Sequence, residues 1–173
     1  DEFYIIENNG LLVDELVLIH GTALTSVEFE KMAAVGASLV WSPTSNLLLY
    51  GDTTDVKAAK DAGVMISLAP DWSPSGTKSP LHELKTADLW NKQILENTFN
   101  DYELVQMVTA NPAYQMKWQD KIGKIKPGLA ADFAIIDSFD EDPYRNLIDA
   151  VDPDVRLTIM GGLAQFGDLD LMQ

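Results

Sequence analysis

Two histidines, His20 and His82, are the only imidazoles in the chain, and there is no cysteine. Disulfides and thiolate metal sites are therefore excluded. Any transition metal must take imidazole or carboxylate ligands, and two histidines cannot build a three-histidine site. Among the acids, Asp71 is distinguished by its place. It follows the apolar run Val64-Met65-Ile66-Ser67-Leu68-Ala69 and sits in the loop Pro70-Asp71-Trp72-Ser73-Pro74-Ser75-Gly76. His20 likewise ends the run Leu16-Val17-Leu18-Ile19. Ser45 or Ser73 with His20 and Asp71 satisfies a nucleophilic triad by residue type, but no Gly-x-Ser-x-Gly elbow supports one.

The elements that must position these residues alternate between strand and helix. Leu16 to Ile19 suits a strand buried on both faces. A helix start follows, with Thr25 as N-cap, Glu28 completing a capping box, and Leu24 with Phe29 as a hydrophobic staple; Gly36 stops it. Ala37 to Trp41 reads as a second strand, followed by Ser42-Pro43-Thr44-Ser45-Asn46. The pattern predicts a helix over roughly 54–62, stopped by Gly63, and a third strand over 64–69. Ser79, with Pro80 at the first position, starts a long helix, and Asn100 caps another over about 101–110. Strand–helix units in series form a parallel sheet with right-handed crossovers, in either a doubly wound sheet or a β/α barrel. Functional groups in both stand just past the carboxyl ends of the strands. His20, Trp41 with Ser42, and Asp71 with Trp72 would then share one edge. After Trp118 the pattern turns to short strands, Phe133 to Asp137 and Val155 to Gly162, and reads as all-β.

Acids outnumber bases 27 to 12, for a net charge of −15. Phosphate backbones need Lys and Arg, so nucleic acid is excluded as a partner, and so is an anionic membrane surface. Apolar residues make up 46% of the chain and charged residues 23%, an ordinary globular balance. No apolar run is long enough to span a membrane, and DEFYIIENNG has no signal-peptide pattern. The expected compartment is the cytoplasm. Without an initial Met, the chain reads as starting inside a longer protein.

Three stretches, carrying four elements in this order, bear a family resemblance. LIHGTALTSVEFEKMAAVGASLVWSPTSNLLLYG, with His20-Gly21 and Pro43-Thr44-Ser45-Asn46-Leu47, resembles two successive strand units of the amidohydrolase superfamily, in its cytosine deaminase, guanine deaminase and chlorohydrolase branch. VMISLAPDWSPSGTKSPLHELK resembles the last barrel strand, and IGKIKPGLAADFAIID the re-entry into a β-sandwich. The resemblance implies an α/β fold: the C-terminal portion of a (β/α)8 TIM-type barrel, about strands 6–8, over residues 1–117, then part of a small β-sandwich over 118–173. It implies one divalent metal, zinc or iron, with Asp71 as ligand and proton acceptor and His20 as its catalytic partner. The implied reaction is hydrolysis of a C–N bond in a small molecule, by deamination of a nitrogen heterocycle or opening of a cyclic amide, with hydrolysis at a ring carbon bearing chlorine as the alternative. Pro70 departs from the family's small residue before the aspartate. The family's His-x-His pair and further histidine are not in this sequence. The expectation is thus an incomplete site that needs an N-terminal segment of the same protein, in an oligomer; the rival reading is a catalytically inactive remnant. Trp72 is a candidate substrate contact. Ser45 and Asn46 read as ties for loop backbone, His82 as a helix residue, and Trp41, Trp90 and Trp118 as packing residues.

Overall fold

The computed structural model describes residues 2–172. They form two compact units that divide between Thr98 and Phe99. The boundary falls ahead of the change in pattern at Trp118, so two short helices belong to the second unit.

The first unit is built on three parallel strands, β1 (Val17–Ile19), β2 (Ser38–Trp41) and β3 (Met65–Leu68), in the order β1-β2-β3. Its helices are α1 (Glu2–Asn8), α2 (Ser26–Val35), α3 (Pro43–Tyr50), α4 (Val56–Ala62) and α5 (Pro80–Gln93). Register pairs Leu18 with Leu39 and Leu39 with Ile66. The α2 capping box forms as its sequence requires: Thr25 N–H donates to Glu28 Oε2 at 2.9 Å. Phe29 and Met32 of α2, Val56 and Ala59 of α4, and Leu84 and Ala87 of α5 are fully buried with Leu39 and Trp41. Each large side chain in that set contributes roughly 1.5–3 kcal/mol by leaving water. β1 departs from the expectation of burial on both faces, since Ile19 is 59% exposed. Among the described residues, no helix is long and apolar enough to cross a membrane.

Two elements of this unit escaped the sequence reading. One is α1. The other is α3, whose opening Pro-Thr-Ser-Asn looks like a turn because each residue favours turns. Its N-cap Ser42 does not cap; the Ser42 hydroxyl donates instead to the Ala69 carbonyl at 2.9 Å, tying the ends of β2 and β3 together. Glu83 of α5 takes over. Its Oε1 accepts from the Thr44 N–H at 2.9 Å and its Oε2 from the Thr77 hydroxyl at 2.6 Å, with the side chain fully buried. A carboxylate at a helix N-terminus is stabilised by the exposed N–H groups and the helix dipole.

The second unit has helices α6 (Asp101–Gln106), α7 (Ala110–Gln115) and α8 (Pro143–Asp149), and an antiparallel sheet of β4 (Phe133–Ile136), β5 (Val155–Met160) and β6 (Leu163–Gly167). The tail is therefore not all-β: Asp142 caps α8 by accepting from the Tyr144 and Arg145 N–H groups. The Arg145 Nε donates to Asp101 at 2.9 Å, joining α8 to α6. Arg156 of β5 pairs with Asp137 and Asp168. Trp118 is 49% exposed, which corrects its reading as a packing residue.

Glu83 gives a test of this arrangement. Glu83→Leu strands the Thr44 N–H and leaves the Thr77 hydroxyl only the Ser79 carbonyl, and is expected to destabilise the protein by about 1–3 kcal/mol. Glu83→Gln keeps an acceptor for Thr44 and is expected to cost much less. Urea denaturation midpoints of the two variants measure the difference.

Candidate active site

Parallel strands deliver their carboxyl ends to a common edge, and the candidate residues meet there. The ladder runs one residue beyond β1, with the His20 N–H on the Val40 carbonyl at 3.0 Å, and one beyond β3, with the Ala69 N–H on the Trp41 carbonyl at 3.2 Å. His20 then turns the chain sharply, with φ of 69° followed by 66° at Gly21. A side chain at Gly21 would press on Leu18 and Leu39, each 3.1 Å from an added Cβ. The loop after β3 closes just as tightly: a Cβ on Gly76 would stand 2.6 Å from the Asp71 nitrogen. Glycine is required there by contact rather than by conformation.

His20 Nε2 lies 3.6 Å from Asp71 Oδ2, with both side chains about a quarter exposed (26% and 28%). Neighbouring residues of α3 hold the two groups. Ser45 Oγ donates to Asp71 Oδ2 at 2.6 Å, and Asn46 Oδ1 lies 2.7 Å from His20 Nδ1. The Trp72 N–H donates to Asp71 Oδ1 at 2.8 Å. These hydrogen bonds, that from Ser45 foremost, hold the Asp71 carboxyl below the usual carboxylate range. Both Ser45 and Asn46 are fully buried. The sequence reading had them tying down backbone; they tie down the Asp71 and His20 side chains instead.

The serine triad does not form. A nucleophilic serine needs its hydroxyl on the imidazole, whereas the Ser45 hydroxyl donates to the carboxylate. The Trp72 indole is 67% exposed, so only its backbone N–H engages the site. The His82 N–H belongs to the cap of α5, donating to Ser79 Oγ at 3.4 Å. An open cleft of about 680 Å³ is lined by residues of α1, by Tyr50 and by the turn from His20 to Thr25; His20 lines it and Asp71 does not.

Strand–helix units that bring an imidazole and a carboxylate to one carboxyl edge set the chain in the class of α/β proteins with reactive groups at the ends of parallel strands. More narrowly, the model of the Amidohydrolase family matches residues 7–163, and the chain belongs to that family. Its curated relatives include the 5-methylthioadenosine/S-adenosylhomocysteine deaminase of Pyrococcus furiosus, 32% identical over 76% of this chain and 32% of that protein. The enzyme of the same name from Halobacterium salinarum is 31% identical over 94% of this chain and 40% of that protein. The chain thus spans well under half the length of these relatives. Its fold is similar to that of an adenosine deaminase from Xanthomonas campestris with bound zinc, with a TM-score of 0.87 and 24% identity over 95% of this chain and 40% of that one. It is also similar to atrazine chlorohydrolase from Arthrobacter aurescens complexed with zinc, with a TM-score of 0.82 and 21% identity over 98% and 42%.

The chemistry of the pair fits part of a zinc site. Asp71 offers carboxylate lone pairs beyond those taken by Ser45 and Trp72, and imidazole is the other common hard-to-borderline donor. No group of three His, Cys, Asp or Glu that could hold a metal occurs among the described residues. A closed four-ligand site is therefore not formed by them.

Ser45→Ala removes the main cause of the lowered Asp71 pKa. The Asp71 carboxyl is expected to titrate at higher pH in the variant, seen by ¹³C NMR of the side chain. The sign for stability follows. A depressed carboxyl pKa contributes stability above the ordinary carboxylate range, lost as pH falls through the folded value. The variant should therefore lose less stability on acidification than the parent.

Proposed function

We propose that these residues are the C-terminal part of a divalent-metal-dependent hydrolase, about strands six to eight of a barrel, that deaminates a nitrogen heterocycle. The observation that carries the reading is the His20–Asp71 pair, 3.6 Å apart at the carboxyl edge of the sheet. The names of the curated relatives favour an adenine nucleoside as substrate. Water adds to the ring carbon that carries the amino group, the C–N bond breaks, and ammonia leaves as the ring carbonyl forms. Asp71 accepts a proton of the attacking water and passes it to the departing nitrogen, acting first as base and then as acid, while the second water proton ends on the ring nitrogen next to the new carbonyl. The His20 imidazole orients that water or stabilises the developing oxyanion. Asp71 is also the residue that would hold the metal; when bound, a divalent cation polarises the substrate and makes water a better nucleophile at neutral pH.

The exposed Trp72 indole stands one residue from the carboxylate and is suited to cover a planar ring. Residues of the longer protein complete the metal site, which accords with the small share of the relatives that this chain spans. Chlorohydrolase-type displacement is the second reading, favoured by the fold's similarity to atrazine chlorohydrolase.

In the full-length protein, Asp71→Ala is expected to abolish ammonia release from adenine nucleosides and to lower divalent metal content. His20→Asn should keep the metal but reduce kcat by roughly 10²-fold. Coupled ammonia assays and elemental analysis test both. Unchanged turnover in Asp71→Ala would remove the carboxylate from the mechanism, and loss of metal in His20→Asn would make His20 a ligand. Chloride release from a chlorinated heterocycle, without deamination, would favour the second reading.

A further inference from the structure

We propose that Asn46 is a positioning residue that fixes the tautomer of His20, leaving Nε2 of the neutral ring bare and facing Asp71. The inference rests on the hydrolytic reading of His20 above only for its consequence; the assignment itself comes from hydrogen-bond geometry.

The argument begins at Thr54. Its Oγ1 is hydrogen-bonded to the His20 carbonyl oxygen. A carbonyl has no proton to give, so the Thr54 hydroxyl proton lies in that bond. Thr54 Oγ1 is therefore only an acceptor toward its other neighbour, the Asn46 side chain at 3.1 Å. The Asn46 atom facing it must be the amide nitrogen. The same nitrogen reaches Thr53 Oγ1 at 3.2 Å, which also accepts from the Trp41 indole N–H at 2.8 Å. Turning the amide over would set its oxygen against the lone pairs of Thr54, a buried acceptor–acceptor contact. Asn46 and Trp41 are fully buried and Thr54 nearly so, so no bulk water relieves such a clash.

With the amide so oriented, its Oδ1 faces His20 Nδ1 at 2.7 Å. An amide oxygen only accepts, so Nδ1 carries the proton. In the neutral ring the second nitrogen, Nε2, then has a lone pair and no proton. It faces Asp71 Oδ2, itself an acceptor, at 3.6 Å. Two acceptors at that separation call for a donor between or beside them, either the O–H groups of a water molecule or a cation. The opposite tautomer would direct an Nε2–H at the carboxylate and close the pair on itself. Asn46 thereby keeps the pair open for a third body.

The test is two-bond ¹H–¹⁵N correlation on the full-length protein labelled with ¹⁵N-histidine, at a pH where the imidazole is neutral. The His20 signals are identified by their loss in His20→Asn. The expected pattern is a protonated-type Nδ1 and a bare-type Nε2. In Asn46→Ala the ring is expected to shift toward the Nε2–H form, which histidine prefers in water, and kcat to fall roughly 10- to 100-fold, the scale for losing a partner that orients a reactive imidazole, with little change in KM. Thr54→Val removes the acceptor that orients the Asn46 amide and is expected to shift the ring in the same direction; it also serves if Asn46→Ala does not fold. A wild-type ring protonated on Nε2 would overturn the proposal, as would an unchanged tautomer in Asn46→Ala. The expected tautomer in a protein that hydrolyses no C–N bond would overturn the proposed function and support the Asn46 assignment. An Nε2–H ring in an active deaminase would do the reverse.

Discussion

The first turn of α3 is the part on which the rest of the site depends. It lies between the ends of β1 and β3 and reaches both: Asn46 to His20 on one side, Ser45 to Asp71 on the other. Consecutive helix residues point about 100° apart, so one turn can serve two strands only if its axis is held in place. Three contacts do this: Pro43 at the first helical position, the Ser42 hydroxyl on the Ala69 carbonyl, and the buried Glu83 carboxylate on the Thr44 N–H. Glu83 also takes the Thr77 hydroxyl, so the same carboxylate anchors the stretch that follows the Asp71 loop.

This is a polar network in an apolar setting, and its members are held to one another. Trp41 gives its indole N–H to Thr53, Thr53 and Thr54 receive the Asn46 amide, and Asn46 receives His20. Among the described residues, no buried side-chain nitrogen or oxygen lacks a hydrogen-bond partner. In a low-dielectric interior an unpaired group costs more than a pair returns. Such a network therefore admits few alternative arrangements, which is how a helix built of turn-forming residues keeps a single geometry.

The legible part of the sequence was the part written in periodicity. Apolar runs placed β1, β2 and β3 to within a residue or two, and the Thr25–Glu28 capping box and the Asn100 cap announced their helices. The rule that parallel strands present their carboxyl ends together put His20 and Asp71 on one edge with Trp41, Ser42 and Trp72, and the family resemblance picked the two out. What stayed hidden depends on partners far away in sequence. α3 looks like a loop because the acid that caps it is Glu83, some forty residues downstream. The left-handed backbone at His20 has no local signature, since a His-Gly pair only permits it. α8 escaped because Asp142-Pro143 reads as a turn before it reads as a cap followed by the first helical residue.

The lowered pKa of Asp71 constrains the chemistry as firmly as its position does. A carboxylate already stabilised by hydrogen bonds from Ser45 and Trp72 is a weak base. In the proposed reaction, taking a proton from ordinary water would be steeply uphill for such a base. A divalent cation beside that water would make it much more acidic and ease the transfer. A carboxylate that stays charged also attracts such a cation, while a bare imidazole nitrogen opposite it neither repels the ion nor gives up a proton to the acid. The hydrogen bonds that weaken Asp71 as a free base thus suit it to a site where the cation, rather than the carboxylate alone, sets the acidity of the water.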